Sequence, residues 1–103
     1  MVITGFPTVA EAQASVADRR RSLAVAVRDS EDRGTESLQS FVLSMAEAEG
    51  ALRVCRIVAS SADRAVAIER LLDALATIDI TTEVARARAR GFREYASRFR
   101  YDA

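Results

Sequence analysis

A chain of 103 residues has room for one domain, and half of its residues are hydrophobic, 20 of them Ala and none Trp. Its 15 basic residues are all Arg and are balanced by 15 Asp and Glu, so there is no global field to draw it to nucleic acid or an anionic membrane. With no His it lacks Ser-His-Asp and Cys-His nucleophile activation, every His-containing metal site and the usual general base at neutral pH, and with one Cys it lacks an internal disulfide or a Cys-only zinc site within one chain.

Residues 1–7 read as an extended arm with Val2, Ile3 and Phe6 available for packing. Pro7 then precedes Thr8, and Thr8 with Glu11 has the spacing of a capping box, in which each residue satisfies an orphan backbone N–H of the other. A first helix over about 8–29 follows, with Val9, Ala12, Val16, Leu23 and Val27 as its apolar stripe and the charged run Asp18-Arg19-Arg20-Arg21 interrupting it. The alternation Leu23, Val25, Val27 would suit a short strand, but its flanks are helical and no partner strand is apparent. Asp29 to Gly34 is a polar break ending in a glycine suited to the left-handed conformation after a helix. It is an acidic turn and not a calcium loop, because Arg33 and Ser40 occupy the fifth and twelfth positions, where ligands are needed.

Thr35 can cap a second helix over about 35–59. Leu38, Phe41, Met45, Ala48, Leu52, Cys55 and Ala59 form a seam of 3,4 spacing, and Leu43, Gly50, Val54 and Ile57 a second stripe. A helix apolar on several sides is buried between neighbours, which makes this one the expected centre of the fold or of a dimer and makes Cys55 a buried, inert thiol. Ser60 with Asp63 resembles a second capping box and opens a third helix over about 61–78. The β-branched cluster from Thr77 to Val84 weakens helix, so a bend or new cap is expected near Asp79–Thr82. Without one, a single helix of nearly 40 residues would extend roughly 55 to 60 Å.

A fourth helix over about 82–100 completes the chain. The heptad-type seam of the C-terminal third, Ile68, Leu71, Leu75, Ile78, Thr82, Ala85, Ala89, Phe92, Ala96 and Phe99, continues in register through the weak segment, with Arg86, Arg93 and Arg100 at the flanking e position. Those arginines are expected to pair with acids of a facing helix, Glu47 and Glu49 being the candidates. Glu69 and Asp73 read as a solvated face beside Arg70. The four glycines are too widely spaced for a phosphate loop, and no internal repeat is present.

These patterns predict an all-α fold, a three- or four-helix antiparallel bundle over residues 1–103 as a single helical domain. An Ala-rich core removes little apolar area per residue, at roughly 25 cal/mol per Å², which points to oligomerisation, with a homo-oligomer or a larger complex as the expected state. The expected function is that of a non-enzymatic assembly or adaptor protein acting through protein–protein contacts. No catalytic residue, cofactor or metal site is expected, and the contact surface is assigned to Arg86, Arg93, Arg100, Phe92, Tyr95 and Phe99. Arginines interleaved with aromatics also suit phosphates and bases, so the alternative is nucleic-acid binding through the C-terminal helix. No stretch approaches the ~18 apolar residues of a membrane span, and the chain is expected to be cytoplasmic.

Overall fold

The computed structural model describes residues 5–30 and 36–101. It contains four helices, α1 (Val9–Asp29), α2 (Glu36–Ala59), α3 (Arg64–Ala76) and α4 (Glu83–Tyr101), and no strand among the described residues. The expected capping box is formed at α1. The Thr8 side chain accepts from the Glu11 N–H at 3.1 Å, and Glu11 Oε1 accepts from the Thr8 N–H at 3.2 Å. Val2, Ile3, Gly34 and the Thr35 cap lie outside the described residues.

The connection between α2 and α3 differs from the expected one. Ser60 does not open α3. Its hydroxyl and that of Ser61 instead donate back to α2, to the Arg56 carbonyl at 2.8 Å and the Ile57 carbonyl at 2.6 Å, so both serines close α2. Asp63 is the N-cap of α3, accepting from the Val66 N–H at 2.9 Å, and the helix starts at Arg64. Arg70 of α3 decides the matter by donating to the Ile57 carbonyl, Ser60 Oγ and Ser61 Oγ at 3.2, 2.9 and 2.8 Å. A guanidinium at the negative end of a helix both satisfies orphan carbonyls and complements the dipole.

The bend at the β-branched cluster is present. α3 ends at Ala76, and Asp79 Oδ1 accepts from the Thr81 N–H and hydroxyl at 2.8 and 2.7 Å. These bonds hold the Asp79 carboxyl below its ordinary range. Thr82 Oγ1 then caps α4 by accepting from the Ala85 N–H at 3.0 Å. The stripe therefore does not run through in one register, because Thr82 is exposed and spent on a cap. Its two halves face each other instead. Ala67 and Leu71 of α3 share one core with Phe92, Ala96 and Phe99 of α4, together with Val54 and Val58 of α2.

α2 is the centre. Ala48, Leu52 and Cys55 meet Ala12 and Val16 of α1 on one side, and α4 covers another. Successive helices alternate in direction, but α2 and α4 run parallel: Gln39 hydrogen-bonds Glu83, Glu47 adjoins Gly91, and Val54 shares a core with Phe99. Glycine permits this close pairing. A Cβ on Gly50 would strike the Arg88 carbonyl oxygen, and one on Gly91 that of Glu47. Ala46 and Ala87, four residues before each glycine, are fully enclosed. The four thus make a small-residue stripe on either side of the contact.

The molecule measures 50 × 27 × 19 Å with a radius of gyration of 15.1 Å, against about 13 Å for a compact domain of this size. The elongation has a local cause. Among the described residues burial ends at Val16 in α1 and begins at Ala46 in α2, so beyond that level α1 and the start of α2 form a hairpin that encloses no described residue completely. No helix among the described residues is long and apolar enough to cross a membrane.

Candidate interaction surface

Three ways of engaging a partner follow from the side chains on the surface: aromatic contact, charge, and an open apolar groove. Phe92 and Phe99, assigned from sequence to the contact surface, have no exposed area. They fill the α2–α3–α4 core, where Phe6 of the arm meets Phe99 edge to face at 5.6 Å and Tyr95 at 6.3 Å. Arg53 lies over the Phe92 ring and Arg64 over Phe99, at 5.3 and 5.1 Å, so cations seal the aromatic core on its outer side. Tyr95 is half-buried, with Arg98 over its ring at 4.7 Å. Of the three rings only Tyr95 has area left for a partner.

The three heptad-spaced arginines take no part in the expected ion pairs. Glu47 and Glu49 are paired instead with Arg90 at 3.3 Å and Arg88 at 3.7 Å. The reason is the glycine contact, which turns the Ala87–Gly91 edge of α4 toward α2 and brings positions 88 and 90 beside the acids. Arg86 donates to the Ile80 carbonyl at 3.2 Å, Arg100 lies over Tyr101 at 5.2 Å, and the Arg93 side chain makes no hydrogen bond or ion pair among the described residues. Arg86 and Arg93 are exposed and Arg100 is half-buried. They form a cationic line on α4 that no carboxylate neutralises among the described residues.

The open groove is the feature that the sequence reading passed over. Asp18, Arg21, Ser22, Val25, Ala26 and Asp29 of α1 line it with Phe41 of α2, around a volume of about 590 Å³. Val25 retains 52 % of its accessible area and Phe41 36 %. Arg21 is bridged to Asp18 one turn away in its own helix. The Asp29 carboxylate makes no hydrogen bond or ion pair among the described residues. The available signal was the run Asp18, Ser22, Val25, Asp29 at 4,3,4 spacing, a second stripe on a helix whose first already serves α2.

A smaller groove of about 240 Å³ runs between α1 and α4 over α2, floored by Ala12, Ala48, Ala51 and Gly91. Its acids are engaged: Glu11 caps α1, Glu47 holds Arg90 and Glu94 holds Arg98. Cys55 is buried, which pushes its thiol up from the ordinary range. No group of three or more His, Cys, Asp or Glu stands together to hold a metal ion among the described residues. Compared with protein-family models, with curated proteins and with solved structures, the chain matches none.

Proposed function

We propose that this chain is a non-enzymatic helical assembly protein that works through protein–protein contacts, as a homo-oligomer or as a subunit of a larger complex. The observation that carries the reading is the open groove between α1 and α2, where Val25 and Phe41 stay 52 % and 36 % exposed. An apolar groove rimmed by charges is what a docking face presents before its partner arrives. The absence of imidazole, read from the composition, supports the same conclusion from the side of chemistry. Absolute mass by light scattering tests it. A salt-insensitive dimer or larger species supports self-assembly; a strict monomer that also captures no protein from its native source counts against the whole reading.

A second reading is favoured by one specific observation, the line Arg86, Arg93 and Arg100 along α4, which no carboxylate neutralises among the described residues. At 1.5 Å per residue the successive guanidinium positions start about 10 Å apart, a spacing that can follow a phosphate backbone. Three such contacts give a log–log salt slope of magnitude about 3 on duplex DNA. Adding a short duplex to the same scattering experiment separates the readings, because only this one predicts a complex that forms at low salt and dissolves at high salt.

A further inference from the structure

Resting on the assembly reading, we infer that a second copy of this chain docks on the open edge of α1, related by a two-fold axis at Val25, with Arg21 of each copy opposite Asp29 of the other. The two stripes of α1 set the argument. The first, through Ala12 and Val16, is consumed by α2. The second, through Asp18, Ser22, Val25 and Asp29, lines the open groove together with Arg21, Ala26 and Phe41. Among the described residues this helix face has no occupant.

Charge selects the occupant. Arg21 stands four residues before Val25 and Asp29 four residues after it, so the stripe carries opposite signs at equal distances from its apolar centre. A two-fold axis reverses the direction of the second helix and brings unlike charges together at both ends. A parallel neighbour in the same register would set Arg21 against Arg21 and Asp29 against Asp29. Isologous contacts of this self-complementary kind are the commonest closed assemblies. Asp29 has no competing partner among the described residues, and Arg21 has only Asp18, at the surface, with 71 % of the arginine side chain still exposed.

Packing supports the same occupant. The outer half of the α1–α2 hairpin encloses no described residue completely, and two such hairpins face to face supply the four-helix cross-section that one lacks. Val25 would meet Val25 of the partner copy across the axis, flanked by Phe41 from each side. A contact of two to three turns per copy is well below the roughly 1,600 Å² of a standard interface, so the dimer dissociates on dilution. Asp18 and Asp29 on the rim disfavour a phosphate-bearing ligand at this edge.

Sedimentation velocity over a concentration series, on the full chain, tests the geometry through five variants. Wild type should pass from monomer to dimer, and Val25→Glu should remain monomeric throughout. Arg21→Asp and Asp29→Arg should each weaken the dimer about tenfold or more by placing like charges together. The double variant R21D/D29R restores unlike pairs and should return to within about threefold of wild type. V25C should give a disulfide-linked dimer under mild oxidation, since the axis sets the two copies of position 25 side by side while the native Cys55 is buried. A wild-type monomer at every concentration overturns this inference and self-assembly with it. A dimer indifferent to V25E, or single reversals that the double variant does not rescue, overturns this interface alone and leaves self-assembly through another face.

Discussion

Gly50 of α2 and Gly91 of α4 meet where the two helices touch backbone to backbone, each occupying the space in which a Cβ would collide with a carbonyl oxygen of the other helix. Glycine in a helix interior costs roughly 1 kcal/mol relative to Ala, so the close approach must return more than that. It does so by burying Ala46, Ala87 and Val54 without exposed area and by bringing Arg88 and Arg90 to Glu49 and Glu47. Substituting Ala at either glycine should therefore destabilise the fold despite better helix propensity, by roughly 2 kcal/mol net. Thermal unfolding should show a drop of about 10 °C for a chain of this size. An unchanged midpoint would mean that the helices stand further apart than the collision implies.

This pair also marks where sequence reading stops. The Thr8–Glu11 capping box was legible because all its atoms lie within one turn. The break before Thr82 was legible because β-branched residues and a short polar side chain act locally. The central place of α2 followed from its two apolar stripes. By contrast, Ser60 and Asp63 fit a capping box by spacing alone, and only Arg70, which approaches from the next helix, turns both serines back to α2. Likewise the glycine contact determines which arginines reach Glu47 and Glu49, and nothing within α4 announces it. The site suffered most from this. Phe92 and Phe99 looked like partner contacts until α3 folded back to cover them, and Val25, read only as part of the Leu23, Val25, Val27 alternation, lines the open groove.

Phe92 and Phe99 are the largest side chains with no exposed area, and they join three helices. Replacing either with Ala should cost about 3 to 5 kcal/mol, a large part of the 5–15 kcal/mol that holds a typical domain. Urea titration should register this as a lowered midpoint with little change in slope. Leu at the same positions should recover a good part of the loss, because volume matters more than aromaticity in an apolar contact. Wild-type stability in the Ala variants would place the rings outside the core.

Cys55 offers a chemical readout of the α1–α2 contact. Burial pushes its thiol up, with a further contribution from the Glu11 carboxylate, while a backbone hydrogen bond works the other way. A thiol reagent should label the native chain far more slowly than the denatured chain at pH 8, since only the thiolate reacts. The raised pKa also carries a sign for stability. Its contribution is fully present below the unfolded thiol's value of about 8.5 and is lost as pH rises through the folded value. The C55A variant should therefore show a shallower alkaline decline in stability than wild type. Equal alkaline slopes would mean that the thiol titrates alike in both states.

Arg70 closes α2 from the neighbouring helix, and its three bonds form one site with the Ser60 and Ser61 hydroxyls. Ser61 is the only buried polar side chain among the described residues, and its hydroxyl both accepts from Arg70 and donates to the Ile57 carbonyl. Removing the guanidinium leaves that carbonyl with one donor fewer and takes a cation from the negative end of the helix. Arg70→Met keeps most of the stem, so its effect isolates the head group. We expect a loss of about 1 to 2 kcal/mol. We also expect amide exchange to quicken at the last turn of α2 and the first of α3, with α1 unaffected. Arg70→Lys should recover the charge but not the three-way geometry, because an ammonium is a point charge on a flexible stem, and should fall between the two. If Met and Lys variants match wild type in both stability and exchange, the serines alone suffice to end α2.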